Sequence, residues 1–584
     1  MLLFACSVDP NVKANALYVE ASTQIESAIA ATNSYSSAHK SFNNALQYIE
    51  LITSQYAQSN VSVNLRSERL DISGFTIEQL QELHDSLKQL AQAEQEILPC
   101  ALLVARSLND IVERITSITS IAKIYTDSGQ DSIALQILDF VESEYFKATI
   151  IARIAAAYAD SGRFADALSL IDSIPDPENR TEIFYEIAHS YAKSKLFDKA
   201  LSTTEMINDK TYRVLALTEI ADEFSKNGQE DRAMLLLIQS RQIANIIEDE
   251  EFKAIAMSQI ADKYIERSEY KEAFEIAMGM EAVNDKERKL SKIAHKYIET
   301  GQIPEALKIA DLIINDPNKS ILPEIARKYV ELGRVKESTE IISSMDTISQ
   351  ALVYSSIADK FIKAEQKSEA VSVLNKSLHL AESVDVAASA DDSFLKLMTL
   401  AEIARQFAET GNFQEALDIA DQLENNWSKV FTLALIADEY FKTGQNHQAD
   451  QIMVQSLEIT NMLNDLDDKL WTINYIADSY AEAGYNDKAI ELMLQSREIV
   501  KSNEYVDDRD STLSLISSKL AELGDLARSL HIVNEIDDLH KKTVLLIEIA
   551  SISGVNIKHS GDDVRSELQE IVQTLHPIEK FWDE

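Results

Sequence analysis

A repeated helical unit with a glycine corner constrains this chain more than any other feature of its sequence. Residues 400–419 read Leu-Ala-Glu-Ile-Ala-Arg-Gln-Phe-Ala-Glu-Thr-Gly-Asn-Phe-Gln-Glu-Ala-Leu-Asp-Ile. Ile403 and Phe407 stand at helical spacing, Gly411 interrupts the run, and a second apolar stripe begins at Ala416. The stretch therefore predicts a first helix, a tight corner and a second helix.

The same unit recurs twelve times in one phase. The isoleucine that marks it stands at positions 121, 154, 187, 220, 260, 293, 325, 357, 403, 436, 476 and 516, and a degenerate copy begins at Ile549. Most steps are 32 or 33 residues, which is the period of helix-pair solenoids. Nine of the thirteen glycines lie eight residues after this isoleucine, where a helix C-terminus favours a positive φ. Lys195, Ser268 and Glu365 stand there instead, and we expect them to strain the corner or to turn differently.

The order of residues within a unit resembles the tetratricopeptide repeat (TPR) family. Ile154, Ala155, Tyr158, Gly162 and Ala167 follow the family's order of apolar residue, small residue, tyrosine, glycine and alanine. The family's early tryptophan is absent, and most units are one residue shorter than its usual period. The resemblance implies an all-α fold, an alpha-alpha superhelix (solenoid) of about 12–13 TPR-like helix pairs. It also implies a non-catalytic scaffold or adaptor that binds other proteins.

The repeat pattern divides the chain into four predicted parts. Residues 1–12 form a remnant of a lipoprotein signal and tether, and residues 13–98 form an N-terminal helical cap block. Residues 99–556 form the repeat superhelix, and residues 557–584 form a C-terminal capping helix and tail. Within the cap block, residues 62–75 read as a polar connection, and Thr76 opens a helix with a capping-box pattern.

Two cysteines and two terminal aromatics leave alternatives open. Residues 3–6 read Leu-Phe-Ala-Cys and resemble a bacterial lipobox, so Cys6 is a candidate lipidation site, as in bacterial TPR lipoproteins of cyanobacterial type. Fewer apolar residues precede Cys6 than a signal peptide needs, and the alternative is an unmodified cytoplasmic N-terminus. Cys100 reads as a small buried residue, with a Cys6–Cys100 disulfide as the alternative. Phe581 and Trp582 either fold back on the last repeat or form a docking peptide.

Four units are longer than the rest, with steps of 40, 46, 40 and 40 residues, and their extra residues follow Ala233, Ala370, Ala449 and Ala489. Seven residues add two turns, or about 10 Å, to a helix. We therefore expect these units to have longer second helices. Three of them contain a Gln-Ser pair in the added stretch, at residues 239–240, 455–456 and 495–496.

The informative surface is the first helix of each unit, which the resemblance places along the concave groove of the superhelix. Two residues after the marker isoleucine we expect a charged rail, and five residues after it an apolar floor. A protein or peptide partner would lie there, held near Arg327 and Arg405; alternatively, these charges pair between repeats. The candidate rail residues are His189, Asp222, Asp262, His295, Arg327, Asp359, Arg405 and Asp438. The candidate floor residues are Ile265, Ile298, Val330, Ile362 and Phe441.

Composition and motifs argue against other functions. The net charge of −41 opposes binding to nucleic acid, which needs clustered Lys and Arg, so a helical-repeat nucleic-acid binder is the less favoured alternative. No nucleophile, phosphate loop or metal-ligand spacing is present, so we predict no enzyme activity, no cofactor and no metal. A soluble cytoplasmic regulatory or assembly factor stays open beside a membrane-tethered scaffold. The sequence gives neither the partner nor the oligomeric state.

Overall fold

The structure is a computed structural model and describes residues 9–582 except 33, 142, 172–173, 175–179, 314–320, 385–389, 504–508 and 555–560. Its regular elements are helices throughout the described ranges, which confirms the all-α prediction. Most consecutive helices pack as hairpins, and hairpins pack against their neighbours within the same compact unit, as in alpha-alpha superhelices. The chain forms two compact units, residues 151–499 and residues 1–150 with 500–584. None of the described helices is both long and apolar enough to cross a membrane.

The central unit contains ten helix pairs. Its limits at residues 151 and 499 fall within the first and the last of these helices. The bounds are α8 Glu144–Asp160, α9 Phe164–Ile171, α10 Thr181–Lys193, α11 Phe197–Thr204, α12 Lys210–Lys226, α13 Glu230–Ala244, α14 Glu250–Glu266, α15 Tyr270–Met278, α16 Val283–Glu299, α17 Ile303–Ala310, α18 Ile321–Glu331, α19 Val335–Ser343, α20 Thr347–Lys363, α21 Lys367–Ser383, α22 Ala390–Thr410, α23 Phe413–Gln422, α24 Asn426–Lys442, α25 Asn446–Asn461, α26 Leu466–Glu482 and α27 Asn486–Ser502. The even-numbered helices are the first helices of their repeats.

The terminal unit combines both ends of the chain. Its N-terminal part contains α1 Pro10–Ile29, α2 Tyr35–Gln55, α3 Asn60–Arg66, α4 Ile77–Ala93, α5 Ile97–Arg106, α6 Ile111–Asp127 and α7 Asp131–Gln136, followed by a 3₁₀ turn Ile137–Phe140. Its C-terminal part contains α28 Arg509–Glu522, α29 Leu526–Glu535, α30 Leu539–Ser553, α31 Asp562–Leu575 and α32 Ile578–Phe581.

One corner geometry joins the helices of each repeat. At Gly162 (φ 79°) the backbone N–H donates to Ala159, and the N–H of Arg163 donates to the carbonyl of Tyr158 at 2.8 Å. This bond pair is a Schellman motif, which satisfies the last carbonyls of the first helix. Lys195 makes the same two-bond corner at φ 60°, and Ser268 and Glu365 have φ values of 63° and 59°. The sequence left open whether these residues strain the corner or turn differently. In the structure they adopt the same positive-φ turn as glycine, and so they strain the corner.

Buried isoleucine, alanine and aromatic side chains fill the spaces between helices. Ile403 and Ala404 are fully buried, and the small alanine lets the neighbouring helix approach closely. Phe413, which opens the second helix of one repeat, stacks on Tyr440 of the next at 3.8 Å between ring centroids. Phe197 stacks on Phe224 in the same way at 4.0 Å. Stacks of this kind join consecutive repeats beyond simple apolar burial.

The four long units have long second helices, as predicted. Helices α13, α21, α25 and α27 contain 15 to 17 residues, whereas α11, α17 and α19 contain eight or nine. Ser240, Ser456 and Ser496 of the Gln-Ser pairs are fully buried. A serine therefore sits where the long helix packs closely against its neighbours.

The two ends of the chain meet in the terminal unit. Helix α5 packs against α30 and α31, and α31 also packs against α4. The Glu94 carboxylate is buried and accepts hydrogen bonds from the backbone N–H groups of Tyr35 and Ser36 and from the Nε2 of Gln573. The Tyr35 hydroxyl donates to the carbonyl of His576 at 3.1 Å. These bonds tie α31 to the N-terminal helices across more than 470 residues of sequence.

The structure corrects two expectations at these ends. The stretch 62–75, predicted as a polar connection, lies partly in α3, because Val61 and Leu65 are buried against the first two helices. Phe581 and Trp582 fold back, but they pack on Tyr35 and Phe42 of α2 rather than on the last repeat.

Other predictions in this unit are confirmed. Thr76 and Gln79 form the capping box of α4. Cys100 is fully buried as a free thiol, and burial raises its pKa to about 12.

Candidate partner-binding face

The predicted rail residues lie on successive first helices of the central unit, from α10 to α24. All eight side chains are half-buried rather than fully exposed. We call the surface that they share the first-helix face. On this surface the structure shows three arrangements, which are a run of ion pairs, two polar clefts and a patch of aromatic rings.

Ion pairs between neighbouring helices occupy the start of the face. His189 lies 3.9 Å from Glu219 of the next repeat, and Glu219 lies 3.6 Å from the buried Lys263 of the repeat after that. Asp222 also contacts Lys263 at 3.7 Å and Arg267 at 3.9 Å. Charges in this part pair across repeats, which is the alternative that the sequence left open for the rail.

The same pairing continues through the next two helices. Asp262 accepts from the Nζ atoms of Lys289 and Lys292 at 2.5 and 2.7 Å. Burial alone would raise the pKa of Asp262, but these two lysines outweigh burial and lower it. His295 contacts Glu324 of α18 at 2.5 Å, and this bond lowers the pKa of Glu324. Asp262 and His295 therefore form hydrogen bonds to side chains of the next repeat.

A polar cleft of about 440 Å³ brings two predicted rail residues together. Arg327 and Asp359 line it with Ser356, Lys360 and Gln406. Both charges are satisfied mainly within their own helices, because Arg327 lies 3.5 Å from Glu324 and Asp359 lies 2.6 Å from Lys363. Burial lowers the pKa of the Arg327 guanidinium.

Arg405 is the most strongly paired cation on the face. Its guanidinium binds Glu402 in bidentate fashion at 2.7 and 2.9 Å and Glu409 at 2.8 Å, and it lies 3.7 Å from the buried Glu439 of the next repeat. The bond to Glu402 and the nearby carboxylates raise the pKa of Arg405. Such a guanidinium contributes to the packing between α22 and α24 before any partner arrives.

A second cleft, of about 320 Å³, contains Asp438 and Phe441. Lys442, Asn446, Ser479, Glu482 and Ala483 complete this lining. Burial raises the pKa of Asp438 to about 6, and the nearest phenol is Tyr475, whose hydroxyl lies 3.5 Å from the Asp438 carboxylate. Among the described residues Asp438 and Glu482 form no ion pair, because Lys442 pairs with Glu439 instead. The second cleft therefore has an excess of negative charge.

The predicted floor residues divide into two groups. Ile265, Ile298 and Ile362 are no more than 9% exposed and pack inside the repeat core. Val330 and Phe441 are half-buried and retain surface that a partner could touch. The apolar part of the face thus comes mainly from positions outside the predicted floor.

That apolar part is a patch of five aromatic side chains, which we call the aromatic patch. It consists of Phe394, Trp427, Phe431, Trp471 and Tyr475. These rings come from α22, α24 and α26, and neighbouring ring centroids lie 5.3 to 6.2 Å apart. Sequence reasoning missed the patch, although a signal was present. Phe431 and Trp471 both stand five residues before a marker isoleucine, where the other ten repeats carry an aliphatic, polar or charged residue and none carries an aromatic one.

One predicted site residue, Cys6, lies outside the described residues. Among the described residues one group of potential metal ligands is present, His531, Glu567 and Glu570 in the terminal unit. His531 Nδ1 already lies 3.1 Å from Glu567, and Glu570 is exposed. This group is a histidine–carboxylate hydrogen bond beside an exposed carboxylate.

No family model and no curated protein sequence matches this chain. Solved structures share helical architecture with it at low identity. Ton1535 from Thermococcus onnurineus NA1 is 16% identical over 61% of this chain and 97% of its own length, with a TM-score of 0.23. The APC/C hetero-tetramer Cut9–Hcn1 matches at 13% identity over 76% of this chain and 90% of that chain, with a TM-score of 0.21. Scores this low mean that the chains do not superpose as whole bodies, so no function is transferred from either protein. The chain is an all-α helical-repeat protein.

Proposed function

We propose that this protein is a non-catalytic scaffold that binds a segment of another protein on the first-helix face of its central unit. The observation that supports the proposal is the pair of polar clefts, at Arg327–Asp359 and at Asp438–Phe441, which lie along one face between α18 and α26. A TPR-like array offers a long surface of this kind without any catalytic group. The clefts belong to helices fixed by repeat packing, so a partner would meet a preformed surface.

A site-specific photocrosslinker tests the proposal in the cells that make the protein. A photoreactive amino acid at Ser356, in the cleft that contains Arg327, should crosslink to one defined protein. The matched control is the same amino acid at Glu340, which is exposed on the second helix α19. Equal crosslinking from both positions, or none from Ser356, contradicts binding on this face. Crosslinks to RNA would favour the nucleic-acid alternative despite the net charge of −41.

Membrane tethering through Cys6 is a separate proposal, supported by the Leu-Phe-Ala-Cys stretch at residues 3–6. The test is the intact mass of the protein isolated from its own cells, together with membrane fractionation. A mass raised by acyl chains and lost in a Cys6→Ser variant supports the tether. An unmodified mass favours an untethered regulatory or assembly factor, and the proposal for the first-helix face is unaffected by either result.

A further inference from the structure

Exposed aromatic rings are the first observation that singles out one part of the first-helix face. Trp471 is 44% exposed and Phe394 is 56% exposed, and Leu395 beside them is 37% exposed. Exposing large apolar side chains to water to this extent costs free energy, and the exposed parts of these side chains do not contribute to the packing between repeats. Trp and Tyr are also the residues that most often carry binding energy at protein interfaces.

The second observation is the charge that borders the aromatic patch. Phe431 stands seven residues, or two helical turns, before Asp438, and Tyr475 stands seven residues before Glu482. Each first helix here thus has aromatic rings toward its N-terminus and a carboxylate toward its C-terminus. The Tyr475 hydroxyl touches Asp438, so the two surfaces are continuous.

The carboxylates of the second cleft have too little positive charge beside them. Asp438 and Glu482 share the cleft with Lys442, but Lys442 lies 2.7 Å from Glu439. Arg405, the other nearby cation, already contacts three carboxylates. A cation arriving from outside would therefore meet two carboxylates that the protein itself does not neutralise. The net charge of −41 would also steer a basic partner toward the protein.

We propose that the aromatic patch and the Asp438–Glu482 cleft together form a docking site for a basic segment of a partner protein. An apolar side chain of that segment covers Trp471 and Trp427, and a lysine or arginine a few residues away enters the cleft. This inference rests on the proposed function, because it names the part of the first-helix face that is used and the chemistry of the partner. Because Tyr475 of the aromatic patch contacts Asp438 of the cleft, the apolar residue and the basic residue of the partner segment must lie close together in its sequence.

The chain provides its own reporter for this site. It contains three tryptophans, and Trp427 and Trp471 both belong to the aromatic patch. In a Trp582→Phe protein all tryptophan emission therefore comes from the patch. The probe is a displayed library of random dodecapeptides selected against the full chain, and the selected peptides are then synthesised and titrated into the Trp582→Phe protein. We expect selected peptides to be enriched for an apolar residue within four positions of Lys or Arg, and to shift this emission.

Matched variants separate the patch from the rest of the face. Trp471→Ala, and independently Phe394→Ser, should weaken the selected peptides about tenfold or more, as loss of an aromatic anchor does. Asp438→Asn with Glu482→Gln should weaken them by a similar factor and reduce the salt dependence. The controls are Phe252→Ala, an exposed aromatic residue on α14, and Glu458→Gln, an exposed carboxylate on α25. Neither control should change the affinity.

Several results would overturn the inference. Peptides without a basic residue, or peptides that bind the Trp471→Ala protein equally well, would exclude this docking site. If those peptides instead lose affinity on Arg327→Glu, the proposed function stands and only this inference falls. A library that yields no binder overturns this docking site. Photocrosslinking at Ser356 then still tests whether a partner binds on the first-helix face. A Trp471-dependent dimer in sedimentation would show that a second copy covers the patch.

Discussion

Three corner residues show how a repeat tolerates local strain. Lys195, Ser268 and Glu365 have φ values of 59° to 63°, where a Cβ atom costs about 1 kcal/mol relative to glycine. We expect Lys195→Gly, Ser268→Gly and Glu365→Gly each to raise the free energy of unfolding by about 0.5–1 kcal/mol. The measurement is the urea midpoint of each single variant.

The control for this prediction is Gln259→Gly, an exposed position in the interior of α14, the helix that ends at the Ser268 corner. Glycine in a helix interior has only an entropic cost, so this variant should lose about 1 kcal/mol. A corner variant that loses stability like the control would mean that side-chain contacts at the corner outweigh its strain.

Asp438 makes stability depend on pH in a predictable direction. Burial raises its folded pKa to about 6, whereas an unfolded aspartate titrates near 3.9. The folded state therefore binds more protons between about pH 4 and pH 6, and stability falls as the pH rises through this window. We expect Asp438→Asn to stabilise the protein by about 1–2 kcal/mol at pH 7.5, and this gain to vanish near pH 4. Melting temperatures across that range test it, and a gain that persists at pH 4 would contradict it.

At the residue scale the sequence predicted which positions share a face, but not which of them carry an unsatisfied charge. Periodicity placed Asp222, Asp262 and Asp438 at equivalent positions, and the structure neutralises the first two with lysines of the following repeats. Asp438 has no such lysine, because Tyr475 and Ser479 occupy the equivalent space. That difference depends on side chains about 40 residues away, which a repeat pattern does not specify.

Packing between elements makes two arginines of the face behave differently. Arg405 contacts three carboxylates, one of them on the next first helix, whereas within the described ranges Arg327 pairs with a single carboxylate, that of Glu324. Arg405→Glu would leave the buried Glu439 beside a further carboxylate, and we expect a loss of about 3–5 kcal/mol. Arg327→Glu should cost about 1 kcal/mol. Thermal unfolding of the two single variants measures the contrast.

Two further variants sharpen this prediction. Arg405→Met removes the charge but keeps the apolar stem, so it should fall between wild type and Arg405→Glu. If Arg405→Glu and Arg327→Glu unfold at the same temperature, Arg405 does not hold α22 against α24, and its pairing with Glu439 is incidental.

Elements were predicted well where local pattern decides them. The lengths of α13, α21, α25 and α27 follow directly from the extra residues that these four units add to an otherwise strict period. Helix α3 was missed because its seven residues, Asn-Val-Ser-Val-Asn-Leu-Arg, are mostly polar or β-branched and have low helix propensity. Burial of Val61 and Leu65 against α1 and α2 overrides that propensity.

At the scale of the whole chain, the terminal unit depends on residues from both ends. Deletion of residues 562–584 would uncover Tyr35 and Phe42 and remove the Gln573 bond to the buried Glu94. We expect the deletion to lower the melting temperature and to open residues 9–106 to limited proteolysis, while fragments of residues 151–499 stay protected. Gln573→Ala, which removes the bond to Glu94 and the bond that Gln573 accepts from the backbone N–H of Ile578, should cost about 1–2 kcal/mol. Equal proteolysis before and after the deletion would contradict a role for α31 in this unit.

The meeting of the chain ends could not be predicted from the sequence. A period of 32 or 33 residues identifies the neighbours of each repeat, but it carries no information about contacts between residues 541 positions apart, such as Tyr35 and His576. The capping helix itself was predicted, because Val564, Leu568, Ile571 and Val572 form one apolar face. The N-terminal helices against which this apolar face packs were not predicted.

The placement of Glu94 also affects how the protein is made. A ribosome releases α1 to α5 first and α30 to α32 last, with more than 400 residues between them. At 5–20 residues per second the first helices wait about 20 to 90 s for the helices that cover them. During that time residues 151–499 can fold, while Tyr35, Phe42 and Glu94 remain exposed. We therefore expect a nascent-chain chaperone to bind the beginning of this protein, and release of that chaperone to coincide with the end of translation.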